Sequence, residues 1–169
     1  MVVTNSGPLM SLGKLGHLDL LGRLYEQVTM PAAVYDEVVV KGLMRGCLDS
    51  YQVQLAMQRK YLAVIQLNKP HPQVEDLPLH KGEKEVLNLA LDNRSNLVLM
   101  DDKIAREHAQ SFGLKVKGTL GVIISAYRSK LLSLDEVQIV FETIMKRNDI
   151  WIATGLCRSI LTRLNNESK

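Results

Sequence analysis

The sequence predicts an α/β fold built around a parallel sheet, and two observations carry that prediction. Short apolar runs bounded by turn residues recur along the chain, and residues 96–100 form the clearest of them. Between these runs, apolar residues recur three and four positions apart, which is typical of amphipathic helices. Strands that alternate with helices imply a parallel sheet covered by helices on both faces.

Five β-prone runs predict the strands of this sheet. They are residues 2–4, 27–30, 62–67, 96–100 and 115–117. The intervening segments predict helices by their apolar spacing and by their start and stop residues. These are two short helices broken near Gly16, a helix over 31–40 with Pro31 as its first residue, and helices over 46–60, from Lys81, over 105–112, 118–129, 134–147 and 150–164. Three prolines within residues 68–79 predict a loop or lid.

The chain of 169 residues, 46% of them hydrophobic, is long and apolar enough for one domain with a sizeable core. We expect residues 1–132 to form the α/β domain. Residues 133–169 then add two helices packed on the same domain, and Ser133 with Glu136 has the spacing of a capping box at the start of that extension.

The charge and composition exclude some classes of function. A net charge of +3 permits a polyanionic partner but does not require one. Aromatic residues make up only 5% of the chain, which argues against a platform of stacked aromatics for single strands. Two cysteines, no signal-peptide pattern and no apolar run near ~18 residues predict a cytoplasmic protein without a membrane span.

Acidic residues at the ends of predicted elements indicate a metal site. Asp101 and Asp102 end a buried strand, where open α/β sheets place their ligands. Adjacent carboxylates repel each other, and a divalent cation is a common compensation. Glu37 lies near the apolar stripe of its helix, and Glu83 lies on the buried side of a first helical turn. Acids without histidine or cysteine ligands suit Mg²⁺ or Mn²⁺ better than zinc, and such ions serve phosphodiester hydrolysis.

Each acid also has a plainer interpretation. Asp101 and Asp102 could cap the helix that follows them, and Glu83 could interact with its own helix N-terminus. Glu37 could be an ordinary exposed helical residue. Lys103 and Arg106 flank the aspartates, where they could bind phosphate or remain solvated helix charges.

Five short segments, in this order along the chain, resemble the PIN-domain superfamily, the fold of VapC-like toxins. They are VTNSGPL at 3–9, MPAAVYDEV at 30–38, LHKGE at 79–83, LVLMDDKIAR at 97–106 and KGTLG at 117–121. The resemblance is nearest to a branch of predicted nucleic-acid-binding proteins that contain a PIN domain.

The resemblance implies a three-layer α/β/α sandwich with a central parallel sheet, to which this chain adds C-terminal helices. It also implies an endoribonuclease that uses Mg²⁺ or Mn²⁺ to hydrolyse RNA. Carried over to this sequence, the metal-binding and catalytic residues would be Glu37, Glu83, Asp101 and Asp102, with Ser6 as a supporting hydroxyl. Toxins of this fold commonly form dimers and bind a small antitoxin, so a homodimer and an antitoxin partner are expected.

Asn5 departs from the family pattern, in which the first metal ligand is usually an aspartate. Its amide oxygen can still bind a hard cation, but the site loses one negative charge. Asn5 could instead form an Asx-type turn before Pro8. The first hypothesis is a metal-dependent ribonuclease that acts as the toxin of a toxin–antitoxin pair. The alternative is a degenerate PIN module that binds RNA or protein without cleavage, and a third hypothesis is an interaction protein whose acids are only caps.

Overall fold

The computed structural model describes residues 1–95 and 97–167. Asn96, in the predicted strand 96–100, and residues 168 and 169, at the end of the predicted extension, lie outside the described residues. The strands are β1 (Val2–Thr4), β2 (Val28–Pro31), β3 (Leu62–Ile65), β4 (Leu97–Leu99) and β5 (Val116–Lys117).

Eleven α-helices and one π-helical turn are present within the described residues. They are α1 (Ser6–Lys14), α2 (Leu20–Tyr25), α3 (Ala32–Tyr35), the π turn (Asp36–Val40), α4 (Lys41–Met44), α5 (Leu48–Gln58), α6 (Pro72–Glu75), α7 (Lys81–Asp92), α8 (Lys103–Ser111), α9 (Thr119–Arg128), α10 (Leu134–Lys146) and α11 (Thr154–Glu167). None of these helices is long and apolar enough to cross a membrane.

The five described strands form one parallel sheet in the order β3-β2-β1-β4-β5. The central strand β1 pairs with β2 and β4, so that Val3 lies beside Thr29 and Val98. The chain moves from β1 to β3 in one direction and from β3 to β5 in the other. Since parallel crossovers are right-handed, these two sets of connecting helices lie on opposite faces of the sheet. The predicted three-layer α/β/α class is therefore confirmed.

The core is aliphatic and lies on both faces of the sheet. Val3, Met30, Val98 and Leu99 are fully buried, as expected for strands covered on two sides. On the face that carries α6, α7 and α8, buried residues form a further apolar cluster. Its members are Val74, Leu87 and Ala109, with Leu77, Leu79, Leu91, Phe112, Leu114 and Val116 packed around them.

The helix predicted over 31–40 has a different form in the structure. Pro31 ends β2 rather than opening the helix, and the chain continues through α3, the π turn and α4 to Met44. Single π turns within helices often mark functional sites. This one is held by α5, because the buried Ser50 hydroxyl donates a hydrogen bond of 2.7 Å to the Val38 carbonyl. Gly42 allows the close approach, since a Cβ atom there would lie 1.9 Å from Ser50 Oγ.

Other differences are local. The predicted loop 68–79 contains the short helix α6, which begins at Pro72. Gly16 has φ +73°, so the break between α1 and α2 falls at a residue suited to the left-handed region.

The chain divides into two compact units, Met1–Thr119 and Leu120–Lys169. The first contains the whole sheet. In the second, α10 and α11 pack against each other, and α10 begins with the predicted capping box. Glu136 N donates to Ser133 Oγ at 3.2 Å, and Ser133 N donates to Glu136 Oε2 at 2.7 Å. The domain boundary expected at residue 132 stays a prediction.

Candidate functional site

The strand order creates a crevice at the carboxyl ends of β1 and β4. These strands are neighbours, but the chain leaves β1 towards β2 and leaves β4 towards β5, in opposite directions. Such switch points are where open α/β sheets bind ligands. Asn5 follows β1 and Asp101 comes shortly after β4, and Asn5 N donates to Leu99 O at 3.0 Å.

Asn5 is buried at this crevice and caps α1. Its side-chain oxygen accepts a hydrogen bond of 3.2 Å from Gly7 N, so the Asx-type interaction considered for it is present. Asp101 approaches the same place, because a Cβ atom on Gly7 would lie 3.2 Å from Asp101 Oδ2 and 3.5 Å from Asn5 Oδ1. Gly7 thus allows the side chains of Asn5 and Asp101 to lie close together beside α1.

Asp101 is held by Thr119, at the end of the first compact unit. Thr119 N donates to Asp101 Oδ1 at 2.7 Å, and Thr119 Oγ1 donates to Asp101 Oδ2 at 2.6 Å. Burial raises the pKa of the Asp101 carboxyl, while the hydrogen bonds from Thr119 and the positive charge of Arg106 oppose that rise. Both oxygens of Asp101 are therefore oriented before any ligand binds.

Asp102 has a different environment from its neighbour. It is exposed, and its Oδ1 accepts a hydrogen bond of 2.8 Å from Ala105 N at the start of α8. The structure gives Asp102 the helix-capping position and gives Asp101 the position in the crevice. A role for Asp102 as a metal ligand stays a prediction.

The two glutamates lie at a small pocket beside the crevice. Its volume is about 100 Å³, and its walls are Asn5, Ser6, Glu37, His80, Gly82 and Glu83. Glu37 comes from the π turn and is exposed, as expected if it were an ordinary helical residue. It nevertheless lines this pocket. Glu83 is half-buried in the first turn of α7, and its Oε2 accepts a hydrogen bond of 2.9 Å from His80 N.

Part of the expected convergence at one edge of the sheet is visible, because Glu37 and Glu83 line the same pocket. One pocket brings together Asn5, Ser6, Glu37 and Glu83, although these residues come from three separate segments of the chain. Asp101 does not line this pocket, but it adjoins Asn5 across Gly7.

The donor atoms fit a hard divalent cation in their chemistry. They are carboxylate oxygens and one amide oxygen, which Mg²⁺ and Mn²⁺ prefer, and hydrogen bonds from Gly7, His80 and Thr119 orient three of the side chains. Within residues 1–95 and 97–167, no three His, Cys, Asp or Glu side chains lie close enough together to hold a metal ion. The chain thus supplies suitable ligands without gathering three acids into a ready coordination shell.

The two cations proposed from the sequence differ in position. The Lys103 side chain is 89% exposed and lies 3.9 Å from Glu107 on the same helix. Arg106 is half-buried near Asp101, because a Cβ atom on Gly118 would lie 2.6 Å from Asp101 Oδ1 and 3.5 Å from Arg106 Nη1. Arg106 is thus the cation that acts on the candidate site.

Sequence reasoning gave no role to Thr119 or His80. Thr119 stands within the segment KGTLG, which was matched to the family, and a threonine where a helix begins is a signal for a hydroxyl contact. His80 contributes the backbone N–H that donates to Glu83, which any residue except proline would supply.

A family model described as a PIN domain matches residues 1–166. The chain belongs to the PIN-domain family. A search of curated proteins found no match.

Membership of this family confirms the resemblance read from the five sequence segments. It indicates nuclease-type activity in general. PIN domains also generally use divalent metal ions.

Proposed function

We propose that this PIN-domain protein is an endoribonuclease that uses Mg²⁺ or Mn²⁺ to hydrolyse RNA phosphodiesters at the crevice beside β1 and β4. The observation that carries the proposal is the shared pocket of Asn5, Glu37 and Glu83, with the oriented carboxylate of Asp101 beside it. If these acids were only helix caps, nothing would require acids from separate helices to face the same pocket.

In this proposal Glu37, Glu83 and Asp101, with the amide oxygen of Asn5, would close around the ion when it binds, because the described acids do not form a coordination shell beforehand. When bound, such an ion would neutralise charge on the scissile phosphate and lower the pKa of a water bound to it. The remaining residues position these ligands: Thr119 fixes both oxygens of Asp101, and His80 N fixes one oxygen of Glu83.

The proposal is tested by RNA cleavage with purified protein in Mg²⁺, in Mn²⁺ and in chelator. Glu83→Ala and Asp101→Ala should each lower the cleavage rate by more than about 100-fold, since even residues that only support a metal ligand cost 10–100-fold. Glu107→Ala is the matched control, because Glu107 is an exposed acid on α8 away from the pocket lining. Metal-dependent cleavage that both site variants retain would show that the residues are wrongly assigned.

Calorimetry with Mn²⁺ separates this function from a non-catalytic one. Wild type should bind Mn²⁺, and the Glu83→Ala/Asp101→Ala double variant should not. A second candidate function, a degenerate PIN module that binds RNA or protein without cutting, is favoured by Asn5, whose neutral side chain is already engaged by Gly7 N. Absence of Mn²⁺ binding in wild type would favour that second function.

The biological setting is a further part of the proposal. A toxin role, a small antitoxin partner and a homodimer rest on the resemblance to VapC-like toxins alone, and the cytoplasmic location rests on the low cysteine content. A gene for a small protein immediately upstream, and co-purification of its product with this chain, would support the toxin–antitoxin role.

A further inference from the structure

A second and larger cavity adjoins the pocket of the candidate site. Its volume is about 470 Å³, and it shares Glu37, His80 and Gly82 with the smaller pocket. Because both are lined by these same three residues, a ligand that reaches the acids can extend into the larger cavity. The larger cavity lies between the helical segment that includes the π turn and α4, and the first turn of α7.

The larger cavity is lined by basic side chains that the proposed chemistry does not use. Lys41 and Arg45 come from α4 and its C-terminal cap, and Lys81 comes from α7. Lys41 and Arg45 are exposed, and neither forms a hydrogen bond through its side chain or an ion pair with any described residue. Lys81 lies 3.8 Å from Glu85 and is 83% exposed, so its charge also reaches solvent.

Two acids, Asp36 and Glu37, belong to the same cavity, and they fix where an anion can bind within it. Glu37 stands at the wall shared with the metal pocket, so the cations of Lys41 and Arg45 mark the part of the cavity suited to an anion. The N-terminal turn of α7 also faces the cavity, and the backbone N–H groups of a first helical turn favour anions.

The lining also indicates which part of a nucleic acid this cavity contacts. No Phe, Tyr or Trp lines it within the described residues, so it offers no platform on which bases stack. Lysine and arginine side chains with helix N–H groups bind phosphate oxygens, and such contacts position a strand without reading its sequence.

We propose that this cavity binds the backbone phosphates of single-stranded RNA next to the scissile phosphodiester, through Lys41, Arg45 and the first turn of α7. This inference rests on the proposed function, because it takes RNA as the substrate at the adjoining acids. The inference adds the direction in which the RNA strand leaves the acids, which is over α4. It also assigns no sequence preference to that part of the strand.

The test measures RNA binding separately from cleavage. A short fluorescein-labelled single-stranded RNA of mixed sequence is titrated with the full chain in chelator, and anisotropy is recorded over a series of salt concentrations. The variant is Lys41→Gln/Arg45→Gln. The matched control is Arg59→Gln/Lys115→Gln, which also removes two exposed cations. These two residues precede β3 and β5, so they lie near the amino ends of the strands, whereas the crevice lies at the carboxyl ends.

The variant should bind the RNA more weakly than wild type, with a shallower dependence on salt. Each phosphate contact to a single strand contributes roughly 0.7 to the slope of log affinity against log salt, so the slope should fall by about 1.4. The control should keep the wild-type slope. Under cleavage conditions, the variant should show a raised KM with an unchanged kcat, since it keeps Glu37, Glu83 and Asp101.

Two outcomes would overturn the inference and are distinguishable from failure of the proposed function. Equal slopes for wild type and the Lys41/Arg45 variant, in a protein that still cleaves RNA, would exclude this cavity as the phosphate site. Wild type that neither binds nor cleaves the RNA would remove the proposed function together with this inference. An acidic protein segment would then become the better candidate for the basic cavity.

Discussion

Replacement of Gly42 by alanine should disturb the contact that holds the π turn, and the structure gives the size of the effect. The added Cβ atom would lie 1.9 Å from Ser50 Oγ and 3.1 Å from Ser50 Cβ. Ser50 is 1% exposed, so its hydroxyl cannot turn to water, and its hydrogen bond to Val38 O must break. Overpacking of this kind costs about 1–3 kcal/mol, and leaving a buried polar group without a partner costs about another 1–3 kcal/mol.

Helix propensity acts in the opposite direction, since alanine is better than glycine in a helix by about 0.5–1 kcal/mol. We therefore expect Gly42→Ala to lower the free energy of unfolding by about 2–4 kcal/mol. Ser50→Ala removes only the hydrogen bond and should cost about 1–3 kcal/mol. In the double variant the clashing oxygen is gone, so adding Gly42→Ala to Ser50→Ala should cost little.

Urea unfolding of wild type, both single variants and the double variant measures these energies from the midpoints and slopes. The double-mutant cycle should give a coupling energy of about 2–4 kcal/mol, which is the cost that Gly42→Ala has only when the Ser50 hydroxyl is present, so the double variant should be more stable than the sum of the singles predicts. Gly155→Ala is the control, because Gly155 is also helical but, apart from its own helix, no part of the described chain lies within 4 Å of its Cβ position. Additive effects, or a Gly42→Ala protein as stable as Gly155→Ala, would refute the reasoning.

Two further predictions concern the crevice. Asn5→Asp keeps an N-cap residue of equal quality but places a second carboxylate near Asp101, so the Tm of the variant should fall when chelator removes metal. Calorimetry should show that its affinity for Mn²⁺ rises by about tenfold or more, because a unit charge ~4 Å away is worth several kcal/mol near a protein surface. Equal Mn²⁺ affinity in both proteins would mean that Asn5 does not weaken the site. Asp101→Asn should stabilise the metal-free chain at neutral pH. Burial raises the pKa of Asp101 in the folded chain above its ordinary value of 3.8. Wild type therefore loses stability as the pH rises from 3.8 through that raised pKa, and the uncharged asparagine does not. The Tm difference should vanish at strongly acidic pH, and a pH-independent difference for Asp101→Asn would contradict this account.

The strands of this fold could be predicted because the sheet imposes a pattern that local sequence carries. Runs such as Leu97 to Leu99 are apolar throughout since both faces of the sheet are covered, and polar or glycine residues end them. The residues of the candidate pocket could be named because acids in such settings are unusual. Their convergence was expected from the rule that parallel strands end at one edge of the sheet, and the structure places Glu37 and Glu83 in one pocket with Asn5.

The remaining features depend on contacts that no local pattern contains. Asp101 and Asp102 are the same residue type at adjacent positions, and only the hydrogen bonds from Thr119 and to Ala105 separate their environments. The π turn is equally hidden, because its sequence DEVVV has ordinary helical spacing and its shape accompanies the contact between Gly42 and Ser50. The basic cavity was missed because its cations come from separate helices and form no run in the sequence.

The strand order also has a consequence for the chain as it emerges from the ribosome. The groups of the crevice come from positions between residue 5 and residue 119. The central strand β1 pairs with β2, which is synthesised before the crossover from β3 to β4, and with β4, which is synthesised after it. A nascent chain that ends before residue 119 lacks the threonine that fixes Asp101, so it has no complete site. If the protein cleaves RNA, its activity is thereby delayed until synthesis of the α/β unit is finished, and the messenger and ribosome that make it are not exposed to a finished site while the sheet is still being made.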